Sequence, residues 1–324
     1  KKLGAQGEIY FTSGATESNN LAIRGAADAY RRRGNRIVTT AMEHPSVART
    51  MDYLEKQGFE IIRLSPKDAI DSFEQHIADN VTADTILVSC MAVNNENGFK
   101  VDTEKLYRLV KNVNNDTIVH IDGVQGFCKV PLKGDLISLS GHKIHGFKGI
   151  GALYCADKVR FTPLVYGGGQ QKGMRSGTEN VPAIAGLATA VKLIYNNDFE
   201  SKIAHLYELK DYFIDELEKL PDVQVNSNKG TDSAPQIVSA SFKGVRAEVL
   251  LHSLEDKGIY VSSGSACSSN KPGLSNTLVA IGLDKELLDS TLRFSFCYET
   301  TKEELEYTIE TLKQLLPMLR KYTR

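Results

Sequence analysis

Through the first two-thirds of the chain, short runs of β-branched and aliphatic residues alternate with longer segments whose apolar positions recur at helical spacing. EIYFT (8–12), RIVTT (36–40), FEIIRL (59–64), TILVSC (85–90), TIVHID (117–122), LISLSG (136–141) and GALYC (151–155) read as strands. Between them, ESNNLAIRGAADAYRRRG and TEKLYRLVKNVN have helical length; in the second, Leu106, Leu109, Val110 and Val113 share one face. Regular alternation of this kind predicts an α/β fold built on a large, mainly parallel sheet. From residue 181 the pattern changes to two helices, PAIAGLATAVKLIY and FESKIAHLYELKDYFIDELEKL, with Pro182 suited to a first turn. Shorter strands follow at 236–242 and 291–298, then a last helix opened by a Thr301…Glu304 capping box, with Leu305, Ile309, Leu312 and Leu316 on one face. The change in pattern divides the chain into a large domain, 1–196, and a smaller α+β domain, 197–324.

Composition narrows the classes of function. The 324 residues are 41% hydrophobic and 24% charged with a net charge of -1, so no basic surplus points to nucleic acid. Arg31, Arg32 and Arg33 read as the solvated end of a helix. No apolar run reaches the roughly 18 residues of a membrane span. The five cysteines, Cys90, Cys128, Cys155, Cys267 and Cys297, are scattered and show neither C-x-x-C nor Cys/His spacing. A structural zinc site and a disulfide framework are both disfavoured, and a reducing, cytoplasmic compartment is expected. Cys90, Cys155 and Cys297 fall in apolar strand patterns and read as small hydrophobes, while Cys128 has no evident partner. The chain opens KKLGAQGEIYF without an initiator Met, which is expected of a sequence whose N-terminal segment is missing.

In an open α/β sheet, ligands gather beyond the carboxyl ends of the strands, so the residues there are the candidates for chemistry. EIYFT is followed by SGATESNN, a glycine turn entering a helix, which suits an anion; capping by Ser13 or Thr16 is the plainer reading. His44 follows RIVTT, Asn94 and Asn95 follow TILVSC, and Asp122 and Gln125 follow TIVHI. LISLS runs into GHKIHGFKGIG, with Lys143 and Lys148 between glycines. An anion site, a carboxylate, a lysine, a histidine and amide donors on one sheet edge match the needs of pyridoxal 5'-phosphate. That cofactor takes a phosphate cradle, an imine-forming lysine and an acid partner for its pyridine nitrogen.

The ordered set FTSGATESNN, EHPSV, VNNENG, HIDGVQ, SGHKIHGFKGIG, GGGQQKGMRSGTEN, SSGSACSS and LRFS resembles the cysteine desulfurases of the NifS/IscS type, end to end. These belong to the class-V aminotransferases, with the aspartate aminotransferase-like fold (fold type I) of pyridoxal-phosphate enzymes. The resemblance implies that Lys143, not Lys148, forms the Schiff base. Asp122 would pair with the pyridine nitrogen, Gln125 would bond the ring hydroxyl, and His44 would stack on the ring and shuttle protons. Ala15, Thr16, Ser140 and His142 would hold the phosphate, and Thr178 would reach the phosphate of a neighbouring subunit, implying a homodimer. Asn95 and Arg293 would take the carboxylate of the substrate, L-cysteine.

Cys267, alone among small residues in SSGSACSS, would attack the substrate sulfur and carry it as a persulfide, leaving alanine. Its small neighbours would let the thiol reach a sulfur-acceptor protein, an iron–sulfur scaffold or a thiolation enzyme. The SGSAC context resembles the subgroup with an extended cysteine loop. Two other readings are a selenocysteine lyase or related pyridoxal-phosphate lyase, and a truncated non-catalytic relative that binds cofactor or partner. The family begins with several dozen residues ahead of the EIYFTSGATES match. Gly123 stands where the family often has Ala, and FCYET follows LRFS where a Gly-Arg-containing sequence is common.

Overall fold

The computed structural model describes residues 6–263 and 275–322. The chain forms two compact units, one of Lys1–Val93 with Val101–Asn196, the other of Asn94–Lys100 with Asn197–Arg324.

The first unit contains β1 (Gly7–Thr12), α1 (Ala15–Tyr30), β2 (Arg36–Thr40), α2 (Pro45–Lys56), β3 (Glu60–Leu64), α3 (Phe73–Asp79), β4 (Thr85–Met91), α4 (Thr103–Val113), β5 (Ile118–Asp122), β6 (Leu136–Ser140), β7 (Gly151–Ala156) and α5 (Val181–Ile194). Among the described residues its sheet has seven strands in the order β1-β7-β6-β5-β4-β2-β3. Only β7 runs against the rest, paired antiparallel with both β6 and β1. The expected α/β class and mainly parallel sheet are therefore present. β4, β5 and β6 are buried along their whole length, which is why apolar and small residues fall on both of their faces.

α1 lies across β4, β5, β6 and β7 and buries Leu21, Ala22, Ile23, Ala26 and Ala27 against them. Its small residues let the helix sit close to the sheet, and so bring its N-terminus to the strand ends. On the helix 103–113, Leu106 and Val110 are buried, but Val113 is 54% exposed because the helix ends there, before another turn can bury it. The Arg31–Arg33 run is exposed, as expected.

The second unit contains α6 (Phe199–Glu218), β8 (Val223–Val225), β9 (Ile237–Phe242), α7 (Ala247–Glu255), β10 (Ser262–Ser263), α8 (Asn276–Ala280), β11 (Thr291–Ser295) and α9 (Lys302–Tyr322). Its antiparallel sheet runs β10-β11-β9-β8. Phe213 packs edge-on against Phe294 and Phe296, and Phe242 against Phe294, forming the aromatic centre of its core. The capping box at α9 forms reciprocally: Thr301 N–H donates to Glu304 at 2.9 Å, and Glu304 N–H to Thr301 Oγ1 at 3.3 Å. Leu305, Ile309, Leu312 and Leu316 are all buried. The strand expected to reach residue 298 stops at Ser295, so Cys297 lies beyond it, partly exposed, with its N–H bonded to Thr300.

Candidate active site

Within the first unit, the candidate residues gather where the carboxyl ends of the parallel strands meet the helix starts. α1 begins straight after β1, with Gly14 at its cap position and no side chain capping it. Capping by Ser13 or Thr16 is thus not what these residues do, and the first helical amides, at Ala15 and Thr16, are left for an anion. Gly151 makes this closeness possible: a Cβ there would fall 2.7 Å from Gly14 backbone atoms. The turn is braced by Glu17, which accepts from Ser13 N–H at 2.7 Å and pairs with Arg175 at 2.7 Å. Burial pushes the Glu17 carboxyl up, but hydrogen bonds from Arg175 and Ser13 outweigh it and hold the group below its usual range. Arg175 belongs to the RSGT stretch, so this ion pair also ties the segment bearing Thr178, itself exposed, to the start of α1.

Asp122 ends β5 and is only 5% exposed. Asn19, on the buried face of α1, donates to its Oδ2 at 2.8 Å, and Val124 N–H donates to Oδ1 at 3.0 Å. Burial raises its pKa, against those two hydrogen bonds and the charge of His44. His44 caps α2, where Ser46 N–H donates to its Nδ1 at 3.1 Å. An accepting Nδ1 puts the proton of the neutral ring on Nε2. Desolvation lowers the His44 pKa, Asp122 opposes it and Lys143 adds to it, so the ring is neutral near pH 7.

Lys143 is exposed on a tight turn directly after β6, Gly141–Ile144, whose Gly141 and Ile144 are buried. In the same turn Ser140 Oγ and His142 Nδ1 are 2.8 Å apart. Burial first, then the charges of Lys143 and Lys148, lower the His142 pKa. Gln125 is half-buried in the turn after Asp122. An open cavity of about 490 Å³ is lined by Thr16, Asn20, Arg24, His44, Arg49 and Tyr53. Thus Ala15, Thr16, His44, Asp122, Gln125, Ser140, His142 and Lys143 all come from strand-end turns of one sheet.

In the second unit, Arg293 on β11 donates through Nη1 to the Asn95 carbonyl at 2.7 Å and through Nη2 to Ser262 Oγ at 3.2 Å. The pair expected to take the substrate carboxylate is therefore joined through the Asn95 main chain. Beside it, Glu96 accepts from Ser275 Oγ, and Asn94 Nδ2 donates to Thr277 Oγ1 at 3.2 Å. Cys267 lies outside the described residues.

The motif reading missed Asn19, Glu17, Arg175 and Glu43. Glu43, beside His44, is buried, with Oε1 accepting from Thr40 Oγ1 at 2.6 Å and from Met91 N–H at 3.0 Å. Its Oε2 meets no partner among the described residues. The available signal was Asn19, an amide on the apolar face of a helix; Glu43 lies in the turn between β2 and α2, where no periodicity marks it.

The residues present fit pyridoxal 5'-phosphate. A buried carboxylate awaits a cation, helix amides lie open to an anion, and an amine stands on the neighbouring turn. Comparison with known proteins agrees. The aminotransferase class-V family profile matches residues 2–308. A protein of Buchnera aphidicola named cysteine desulfurase IscS is 41% identical over 325 residues, covering 97% of this chain and 78% of that one. Among solved structures, a NifS-like protein superposes with a TM-score of 0.86 at 34% identity, covering 96% of this chain and 83% of its own. A protein titled SspA in complex with cysteine does so with a TM-score of 0.76 at 32% identity, covering 91% and 83%.

Proposed function

The chain belongs to the aminotransferase class-V family and is a pyridoxal-phosphate-dependent L-cysteine desulfurase, and we propose the following roles for its residues. The observation that carries them is Asp122: a buried carboxylate is costly unless a cation joins it, and the protonated pyridine nitrogen of the cofactor is that cation. When bound, pyridoxal 5'-phosphate supplies an electron sink for negative charge at the substrate α-carbon.

The remaining work falls to the chain itself. Lys143 Nζ is the amine for the cofactor aldehyde and the base for the substrate α-proton. His44, neutral and protonated on Nε2, stacks on the ring and passes protons. Gln125 bonds the ring hydroxyl. The amides of Ala15 and Thr16, with Ser140 and His142, hold the phosphate; Thr178 of a second copy completes that cradle in a homodimer. Arg293 and Asn95 take the substrate carboxylate, the guanidinium offering two parallel donors.

Cys267 then acts as a thiolate. Its sulfur bonds to the sulfur of cysteine as the substrate C–S bond breaks. The electron pair of that bond goes to carbon, which gains a proton and leaves as alanine, and a persulfide stays on Cys267. Sulfur passes on to an acceptor; an iron–sulfur scaffold or a thiolation enzyme is the class we propose. A reducing compartment such as the cytoplasm suits a thiol that must return to its free state. The names of the relatives favour desulfurase over selenocysteine lyase.

Borohydride reduction of the reconstituted enzyme, followed by peptide mapping, tests the central assignment. The cofactor is expected on the peptide containing Lys143, and Lys143→Ala is expected to lose the cofactor absorption band. Cofactor fixed at Lys148 or Lys129 would overturn it.

A further inference from the structure

A lysine with no role so far ties together the two turns that carry Asp122 and Lys143. After β5 the chain closes into a compact turn: Phe127 N–H donates to Gly123 O at 2.7 Å, Lys129 N–H to Gly126 O at 3.0 Å and Val130 N–H to the same carbonyl at 2.9 Å. Within it Cys128, only 1% exposed, has φ +62°, a left-handed backbone disfavoured for any residue with a side chain. The fold keeps this strained geometry, and from it Lys129 Nζ donates to the main-chain carbonyl of Lys143 at 3.1 Å. β5 and β6 are neighbours in the sheet, so one side chain bridges the turns at their ends.

We propose that Lys129 is a positioning residue for Lys143: it holds the 141–144 turn through the Lys143 carbonyl, and its ammonium charge favours the unprotonated, imine-forming state of the Lys143 amine. The proposal rests on Lys143 being the cofactor lysine. Like charges disfavour each other's charged forms, and the effect is mutual. Lys129 has no ion pair with a carboxylate among the described residues, so its charge is left to act on its surroundings. Its own pKa falls to about 8, through desolvation first and then the charge of Lys143, with Cys128 opposing.

Among the described residues, few other titratable groups surround the lysine pair. Cys128, hydrogen-bonded by Tyr195, adjoins Lys129. His44 and His142 both feel the charge of Lys143, and Asp122 and Lys148 act on those histidines in turn. α5, which packs on the 141–144 turn, carries Lys192 as its one charged residue.

Competitive acetylation of the cofactor-free protein across pH, read at the Lys143 peptide by mass spectrometry, isolates the effect. In Lys129→Gln, which keeps a donor and loses the charge, the midpoint of Lys143 reactivity is expected to rise, by less than a permanent charge would move it, because wild-type Lys129 with its pKa of about 8 is already part-neutral there. In Lys129→Arg, charged at every pH used, it is expected to fall below that of the wild type. A purely structural role would disturb both variants alike without moving the midpoint in opposite directions. If neither midpoint moves, or both move the same way, the proposal is overturned; Lys129→Arg alone decides it should the glutamine variant fail to fold. Borohydride trapping separates this from the reading beneath it, because cofactor trapped on another lysine refutes the role of Lys143 and leaves the acetylation result intact.

Discussion

Glu43→Gln gives a stability change that can be worked from the structure. Glu43 is buried beside His44, and burial raises its pKa to about 8, with Asp122 adding to the rise and the bonds from Thr40 and Met91 opposing it. A carboxyl whose pKa is raised in the folded state keeps a proton that the unfolded chain releases above its ordinary value of 4.5. Its contribution to stability is therefore full below pH 4.5, declines as pH rises, and is lost once pH passes about 8. The slope is about 1.4 kcal/mol per pH unit, so between about pH 5 and about pH 8 this one group accounts for ~4 kcal/mol.

Glutamine has nearly the shape of the protonated acid. Its carbonyl can accept from Thr40 and Met91 as Oε1 does, and its amide sits where Oε2 has no partner among the described residues. Urea unfolding of the cofactor-free protein, followed by tyrosine fluorescence, is the assay. Wild type and Glu43→Gln are expected to be nearly equal at about pH 5, with the variant the more stable by ~4 kcal/mol at about pH 8. Parallel stability curves for the two proteins across that range would refute the reasoning, since they would mean that Glu43 is ionised in the fold.

Two further outcomes follow from single side chains. Lys210 is fully buried, and its Nζ donates to Asn228 O at 3.0 Å, Gly230 O at 2.6 Å and Ser233 Oγ at 3.0 Å. Lys210→Met strands those acceptors and is expected to cost ~3–5 kcal/mol in urea unfolding, whereas an unchanged midpoint would show that the clamp carries no net stability. Arg293→Lys replaces a planar fork with a point charge and is expected to raise KM for L-cysteine about tenfold or more, with kcat changed about threefold or less. An unchanged KM would remove Arg293 from the carboxylate site.

The strands of the large sheet were legible almost residue for residue, because β4, β5 and β6 are buried on both faces and carry little but apolar and small residues. β8 and β10 were not legible. At three and two residues they have no period of their own and exist through pairing with β9 and β11. Nothing local in the sequence joins Asn94–Lys100 to the second unit, since its contacts there are non-local: Ser227 Oγ to Asn97 O at 2.6 Å, and Phe99 bridged to Ser233.

The candidate site divides the same way. His44, Asp122, Gln125 and Lys143 stood out as polar residues ending apolar strands. Asn19, Glu43 and Lys129 did not, because each acts through a partner distant in sequence: Asp122, Met91 and Lys143 respectively. Lys210 is one of several charges in the helix 199–218, and only the fold shows that the loop at 228–233 closes over it. Cys128 could not be read as strained, because a left-handed backbone angle leaves no trace in residue type unless glycine fills it.

The central claim, sulfur abstraction from L-cysteine by Cys267, is tested most directly by alanine formation in the cofactor-loaded enzyme with a thiol reductant, set beside Cys267→Ser. Wild type is expected to form alanine and a persulfide detectable by mass on the Cys267 peptide. The serine variant, still yellow with bound cofactor, is expected to form neither. Equal alanine from both proteins would contradict the account and place sulfur release outside Cys267.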